Sequence, residues 1–394
     1  MAIGSPHAGA RAPMASAAER AAAERVAAGN RPPPPSAFER RPRFLGLQVV
    51  PRETTVDGLL VGGLSGLDHD GAGQWVAISD DRGGLGPARL FTLEIDLRAF
   101  RTSPRPGMNG IRFTGVRRLR DAAGRPYEAG LVDPEGIRID PLTGHLLWID
   151  EGERSASRRA APSLRSATPD GSWIRDWRLP ATFAPYGSVG GNEPGDRGIR
   201  NNRSVESLAL DPVGRRAYIA SEVALVQDGP APGVDQSSPV RVQSIDLVTG
   251  RPGPAWIYPV DPLPIPPLVP MLPAVNGLTE MLWLGKDRFL MLERGYTPLG
   301  GYSARLWLAS AAYATNVAGR PSIAGTRWTP MEKRLWLDLG SLRHGDGSPF
   351  VPDNFEAMGW GPPDPATGAP TLVLASDDNF AAHQQTQFVA LALG

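Results

Sequence analysis

One strand–turn–strand pattern recurs five times along the chain, and this internal repeat limits the possible folds more than any other feature. Each copy has a short apolar strand, a turn rich in Asp, Gly or Pro, a second apolar strand and an acidic end. Regular repeats of this kind are typical of modular architectures. The first residues of the five copies are Ser65, Glu135, Glu206, Glu280 and Glu356. Successive copies are 70, 71, 74 and 76 residues apart.

The repeat length leaves room for a four-stranded blade, since a WD40-type blade takes roughly 40–45 residues. Two further apolar strands follow most copies, as ARLFTLEIDL and IRFTGVRRLRD follow the first. The last copy is followed by only one, QTQFVALALG, and the missing strand is found at residues 43–51, RFLGLQVVP. Closing the ring with this N-terminal strand would remove free sheet edges. The sequence therefore predicts an all-β, five-bladed β-propeller, with six blades as the alternative.

Acidic residues recur at the ends of the two inner strands of each predicted blade. These strands run antiparallel, so the start of the first lies beside the end of the second. Glu206 and Glu222 are thus expected to be neighbours at one mouth of the central channel. Clustered carboxylates raise each other's pKa or recruit a cation, and oxygen ligands suit Ca²⁺, or alternatively Mg²⁺. The candidate metal ligands are Asp80, Asp81, Glu135, Asp150, Glu151, Glu222, Glu280, Glu293, Glu356, Asp377 and Asp378.

The same mouth is predicted to carry catalytic groups. A free carboxylate such as Glu206 can act as a general base. Arg82, Arg203 and Arg294 lie near the acidic ends and can stabilise developing negative charge. The long connections between blades are expected on this side, whereas short turns such as DHDGAG are interpreted as hairpin turns of the opposite face.

Composition excludes several other classes of function. The chain has 41 basic and 41 acidic residues and no cysteine, so nucleic acid, anionic membranes, disulfides and thiolate chemistry are not expected. No apolar stretch is long enough to span a bilayer. Residues 1–42 are Ala- and Pro-rich and modestly basic, without the apolar core of a secretory signal. They are predicted to form a disordered tail, followed by one propeller domain at residues 43–394.

Several segments resemble one protein family. NFEAM, TLVLASDDNF and HQQTQFVAL near the C-terminus, GGLSGLD and AISDDR near the start, and DPEGIRID, LWIDEG and NNRSVESLAL between them are similar to the "esterase-like activity of phytase" family, the phytase-like proteins. The resemblance covers about residues 44–393. It implies a bacterial propeller, periplasmic or secreted, that hydrolyses phosphate or carboxylic esters. It also implies site roles for Ser65 and Asn379, alongside Arg82 and the carboxylates named above.

Three functions follow as hypotheses. The first is a metal-dependent ester hydrolase, preferably a phosphoesterase, acting as a monomer on a small ester or phosphate ester. The second is a calcium-dependent lactonase or carboxylesterase, because a neutral ester tolerates an acidic mouth better. The third is a propeller that binds a ligand or protein without catalysis, since propellers host many unrelated functions.

Overall fold

The computed structural model describes residues 32–82, 84–211, 215–269 and 272–394. In these residues, five four-stranded antiparallel sheets form a ring around a central channel. The first strands of successive blades contact one another, and the first also contacts the fifth, so the ring is closed. The predicted five-bladed β-propeller is confirmed, and the six-bladed alternative is wrong.

The strands are given blade by blade, from the channel outwards. Blade 1 has Leu64–His69, Trp75–Ser79, Arg89–Ile95 and Ile111–Arg118; blade 2 has Pro134–Ile139, Leu146–Asp150, Ser163–Ala167 and Trp173–Arg178. Blade 3 has Val205–Leu210, Arg216–Ser221, Ser238–Asp246 and Pro252–Val260; blade 4 has Val275–Gly285, Arg288–Thr297, Gly301–Ser310 and Glu332–Asp338. Blade 5 has Phe355–Gly361, Thr371–Ser376, Thr386–Ala392 and the N-terminal Arg43–Val50.

Short elements decorate this ring. Two two-stranded ribbons pair Thr55–Val56 with Leu59–Leu60 and Glu153–Arg154 with Arg159–Ala160. The 3₁₀ helices are Pro35–Phe38, Leu97–Ala99, Ala181–Phe183 and Leu339–Ser341. No helix in the described part of the chain is both long and apolar enough to cross a membrane.

Burial decreases from the channel outwards. Every residue of Leu64–His69 and Trp75–Ser79 is buried, because neighbouring blades cover both faces of the inner strands. The outermost strand Trp173–Arg178 is mostly exposed or half-buried. This gradient explains why the inner strands read as continuous apolar runs whereas the outer strands are rich in arginine.

The N-terminal strand closes blade 5, as predicted. Arg43–Val50 pairs antiparallel with Thr386–Ala392, and Gln48 lies opposite Phe388. The ladder slips between Phe44 and Gly46. Gly46 has a φ of 143°, and a Cβ there would lie 2.4 Å from the backbone nitrogen of Arg101. Glycine is therefore required for the close approach of this strand to the loop of blade 1.

Residues just before this strand also pack on the ring. Phe38, in the 3₁₀ helix Pro35–Phe38, is buried against Trp336 and Trp360, with ring centroids 5.2 Å and 6.2 Å apart. The Trp336 indole donates to the Arg40 carbonyl over 3.1 Å. The tail predicted for residues 1–42 thus has a packed portion, whereas residues 1–31 lie outside the described residues.

A buried ion pair spans the middle of the channel. Arg138 of blade 2 contacts Glu280 of blade 4 over 2.7 Å, and both side chains are almost fully buried. The guanidinium also donates to the carbonyls of Leu67 and Met281, each over 3.0 Å. Glu280 accepts from the Leu208 amide over 3.2 Å. The pair therefore links the inner strands of blades 1 to 4.

The Phe38 anchor gives a test of the N-terminal segment. Phe38→Ala should lower the free energy of unfolding by about 3 kcal/mol, because it removes a buried ring and leaves a cavity. Urea denaturation measures this difference. Ser36→Ala, at an exposed position of the same helix, should change stability little; an equal effect of both variants would contradict the anchoring role.

Candidate metal centre at the channel mouth

A β-bulge occupies the same position in the first strand of every blade. The ladder between first and second strands slips there by an extra residue. Such a bulge leaves one residue outside the ladder and redirects its side chain. The residues at the slips are Ser65, Glu135, Glu206, Thr279 and Glu356.

The second strand supplies a matching set of side chains. The residue concerned lies just beyond the strand or near its end, and its amide donates to a carbonyl that precedes the first strand. Asp80 donates to Gly63 over 3.0 Å, and Asp377 donates to Asn354 over 2.9 Å. Glu151 and Glu222 bond in the same way to Asp133 and Ser204. One repeated backbone geometry thus places the residue at the bulge and the residue at the end of the second strand at the same end of each blade.

Blade 4 departs from the predicted repeat. The slip falls at Thr279, so Glu280 is displaced by one residue from the carboxylates of the other blades. The prediction that Glu280 belongs to the mouth is wrong, because its carboxylate bonds to Arg138 inside the channel. Arg294, not a carboxylate, occupies the second-strand position of this blade and lines the mouth.

Successive residues of a strand point to opposite faces, which separates Asp150 from Glu151 in blade 2 and Glu293 from Arg294 in blade 4. Glu293 bonds to Lys333 over 2.6 Å and to the Tyr258 hydroxyl over 2.7 Å, away from the mouth. Asp150 likewise bonds to Arg165 over 2.5 Å. The prediction that Glu293 and Asp150 lie with the mouth carboxylates is wrong.

The acidic pairs of blades 1 and 5 differ from this rule in part. Asp81 forms an ion pair with Arg89 over 2.5 Å and still lines the mouth cavity. Asp378 accepts from the amides of Gly63 and Phe380 over 3.2 Å and 3.1 Å, so it shapes a turn. Only Asp377 of its pair belongs to a carboxylate cluster.

The mouth is a cavity of about 510 Å³. Within the described residues, seven acidic and three basic side chains line it: Asp80, Asp81, Glu135, Glu151, Glu206, Glu222 and Glu356, with Arg82, Arg203 and Arg294. Glu206 and Glu222 lie in this cavity together, as expected from their antiparallel strands. Asn379, which the family resemblance points to, also lines it, whereas Ser65 does not.

Two groups of three carboxylates stand out at this mouth. Asp80, Glu356 and Asp377 form the first, and Asp133, Glu135 and Glu151 form the second. In each group, one oxygen from every carboxylate lies within 4.8 Å of the other two. We name them the blade 5/1 cluster and the blade 2 cluster. Asp133 was not predicted, because it stands before Pro134 and outside the repeated strand pattern.

Two arginines are held by these clusters. Arg294 contacts Glu356 over 2.6 Å and Glu222 over 3.4 Å. Arg82 bonds to Glu151 over 3.1 Å, and also to Asp133 and Asn202. Arg203 lines the cavity but forms no ion pair with a described residue. Arg203 is therefore the cation best placed to meet an anionic ligand.

Burial and mutual repulsion disfavour the charged carboxylates. Burial raises the pKa of Glu206 well above its usual range, and the charges of Glu222 and Glu356 raise it further. Burial also raises the pKa of Asp80 and Asp377, and the nearby Glu356 adds to both shifts. The pKa values of Glu135 and Glu151 are raised by burial and by Asp133. The three arginines of the cavity do not neutralise its seven acidic side chains.

The blade 2 and blade 5/1 clusters fit a hard cation. Their donors are carboxylate oxygens, and the described protein offers no histidine in either group. Asp133 Oδ1 is buried without a hydrogen-bond partner, an arrangement that costs free energy unless another group binds there. Oxygen-only donor sets suit Ca²⁺ or Mg²⁺ rather than zinc or copper.

Two glycines make room for the mouth carboxylates. A Cβ at Gly277 would lie 2.2 Å from Cγ of Glu222, so any side chain there would displace this glutamate. A Cβ at Gly63 would lie 2.4 Å from Oδ1 of Asp80, and its φ is 63°. Sequence reasoning missed both positions, because a glycine beside a strand also marks an ordinary turn.

Backbone strain is concentrated at the same place. Arg82, Asn202, Asn379 and Phe380 all have positive φ values, between 44° and 55°, and all four line the cavity. Residues other than glycine adopt this region at a cost, which surrounding contacts must offset. The strain supports a functional role for the mouth.

The fold and the mouth define a β-propeller with an acidic channel entrance. The family model described as "Phytase-like: Esterase-like activity of phytase" matches residues 59–380. Since this span is most of the chain, the protein belongs to the phytase-like family, and the resemblance found in the sequence is confirmed.

No curated protein matches the sequence. Among solved structures, the β-propeller domain of Cps50 (Swd1) from Myceliophteria thermophila is 10% identical, with 85% of this chain and 97% of that chain covered and a TM-score of 0.34. The Dos1 propeller is 8% identical, with 84% and 68% covered and a TM-score of 0.31. Neither likeness carries an argument about function.

The channel pair gives a pH-dependent prediction. Burial raises the pKa of Glu280 from 4.5 to about 7, although Arg138 and two backbone amides oppose the shift. The folded state therefore holds this proton more tightly than the unfolded state, and stability falls as the pH rises from about 4.5 to about 7. Glu280→Gln removes this titration. The free energy of unfolding of the variant, relative to that of wild type, should therefore rise by roughly 3 kcal/mol between pH 4.5 and pH 7.

Urea denaturation at several pH values measures this relative gain, since groups that titrate in both proteins cancel. Glu332→Gln, at an exposed position, serves as the matched control and should show no pH-dependent difference. If the difference in the free energy of unfolding between Glu280→Gln and wild type is constant from pH 4.5 to 8, Glu280 stays ionised in the folded protein and the prediction is wrong.

Proposed function

We propose that the protein is a calcium-dependent ester hydrolase that acts on small phosphate esters at the channel mouth. The observation that carries this proposal is the presence of two three-carboxylate clusters at one mouth, each with two members that line the cavity alongside three arginines. Family membership supports a hydrolase of this type. We extend the proposal to a monomer in the periplasm or outside the cell, with Mg²⁺ as the alternative ion.

The blade 5/1 and blade 2 clusters would each hold one ion. Asp80, Glu356 and Asp377 would be the ligands of one, and Asp133, Glu135 and Glu151 the ligands of the other. Bound divalent ions would neutralise the carboxylates, bind ester oxygens and lower the pKa of a bound water. Without such ions, the acidic excess of the cavity would repel a phosphate.

Arg203 is proposed to bind the substrate anion. Burial raises the pKa of Glu222 and the charge of Arg203 opposes this shift, but the Arg203 guanidinium forms no ion pair with a described carboxylate. Binding a phosphate therefore breaks no existing ion pair. Arg82 and Arg294 each contact two carboxylates and are proposed to orient the clusters while contributing positive potential. Their fixed charges are available where negative charge develops in the reaction.

Glu206 is proposed to be the general base. It lies at the bulge of blade 3, lines the cavity and belongs to neither cluster. Burial, Glu222 and Glu356 raise its pKa well above the usual range, and a carboxylate with a raised pKa is a stronger base once it is ionised. In this role Glu206 takes the proton from the attacking water.

The acidic excess of the cavity also favours a second candidate. A neutral carboxylic ester or lactone would enter this cavity with less repulsion than a phosphate ester. The same clusters and the same base would serve that reaction. Hydrolysis of p-nitrophenyl acetate, compared with p-nitrophenyl phosphate, decides between the two substrates.

Calorimetric titration of the chelator-treated protein tests the metal proposal. Two calcium ions should bind per chain, and Asp133→Asn and Asp377→Asn should each remove one of them. Asp70→Asn is the control, because this aspartate accepts from Ala72 and Gln74 amides in a turn of the opposite face. Absence of saturable binding by wild type would leave a propeller whose mouth is neutralised by arginines and protons alone, and the hydrolase proposal would fail.

Substitution of the proposed base separates catalysis from metal binding. Glu206→Gln should lower kcat for p-nitrophenyl phosphate by about 10²- to 10⁴-fold, the usual contribution of general-base catalysis. Its calcium stoichiometry should remain that of wild type. Activity within a factor of two of wild type would exclude Glu206 as the base, and calcium binding without any ester hydrolysis would favour a non-catalytic binding propeller.

A further inference from the structure

The wall of the mouth cavity on blade 4 differs from the rest. Tyr296 and Tyr302 line the cavity there, both half-buried, with ring centroids 4.7 Å apart and an angle of 37° between the rings. Val275 continues the same wall at the start of the first strand. The carboxylate clusters belong to blades 5, 1 and 2, where Leu85 and Phe380 also line the cavity. We call that part of the cavity the acidic side and the blade 4 wall, which has two tyrosines and no carboxylate among the described residues, the aromatic side.

The aromatic side continues onto exposed apolar residues. Leu299, at the tip of the hairpin between Tyr296 and Tyr302, is 79% exposed and has a φ of 67°. Leu268, in the loop that leads to this blade, is 75% exposed. The loop is fixed to the hairpin, because the Thr297 hydroxyl donates to the Ile265 carbonyl over 2.5 Å. Exposed apolar side chains beside a cavity are consistent with a surface that binds a ligand.

The cations limit the charge of the ligand. Arg82 and Arg294 are engaged by carboxylates, so Arg203 alone among the described lining residues is a cation without an ion pair. A ligand with many phosphate groups would place most of them against carboxylates. One phosphate can instead be held by Arg203 together with the proposed ions.

From these observations we infer that the substrate is a phosphate monoester of an apolar, preferably aromatic, alcohol. Its phosphate lies on the acidic side of the cavity, and its alcohol portion lies against Tyr296 and Tyr302. This inference rests on the proposed phosphoesterase function and adds the substrate class. Tyrosine rings provide a large apolar contact at low conformational cost, and aromatic pairs gain further from ring stacking.

Binding of non-hydrolysable phosphonates tests the inference without relying on turnover. The probes are phenylphosphonate, methylphosphonate and myo-inositol hexakisphosphate, each titrated into the calcium-loaded full chain. Phenylphosphonate should bind about tenfold more tightly than methylphosphonate, from burial of the ring. Tyr302→Ala should abolish most of this preference, whereas Tyr302→Phe should retain it because the ring remains.

Tyr313→Ala is the matched control, since Tyr313 is 78% exposed and does not line the cavity. Equal affinity for the two phosphonates, no phosphonate binding, or tighter binding of the hexakisphosphate would each overturn the inference. Turnover of p-nitrophenyl phosphate by the same preparations shows which proposal has failed. If the protein hydrolyses p-nitrophenyl phosphate but does not prefer phenylphosphonate, only the inferred substrate class is rejected. If it neither hydrolyses p-nitrophenyl phosphate nor binds calcium, the proposed hydrolase function is rejected as well.

Discussion

The close approach of the inner strands around the channel is the constraint on which the rest of the structure depends. A Cβ at Gly66 of blade 1 would lie 2.7 Å from the Ile137 nitrogen of blade 2, and one at Gly136 would lie 2.7 Å from the Glu206 carbonyl of blade 3. A side chain at Gly66 or Gly136 would therefore clash with the next blade, and the residue after the bulge is small in four of the five blades. Glu280 takes this position in blade 4, where its side chain turns toward Arg138 in the channel.

The backbone of the inner strands explains how acidic side chains gather at the mouth. Each bulge redirects one side chain, and the amide that follows the second strand is fixed by a carbonyl of the same blade. The backbone fixes the positions of these carboxylates, although their charges repel one another. A rigid scaffold can thus hold like charges together, at an energetic cost that a bound cation would offset.

The fold was predictable because strand, turn and strand recur at a nearly constant interval, and apolar runs survive every variation in the loops. The positions of individual carboxylates were harder to predict from the sequence than the fold. A bulge has no residue signature, so a sequence alignment matches LTEM with PEGI on their glutamates, whereas the ladder aligns Thr279 with Glu135. In acidic pairs such as Asp150 and Glu151, the register decides which member faces the mouth, and sequence alone does not give that register.

Other features depend on contacts between distant segments. Asp133 joins Glu135 and Glu151 because its carbonyl accepts from the Glu151 amide at the end of the second strand, whereas the sequence shows only an aspartate before a proline. Phe38 stands alone in a Pro-rich segment, yet Trp336 and Trp360 enclose it from two blades. The mouth shows the same principle on a larger scale. The repeated strands supply its acidic side, so the sequence repeat predicts that side. Its aromatic side lies on one hairpin of blade 4 that extends beyond the repeat. The chemistry of the site depends on both sides.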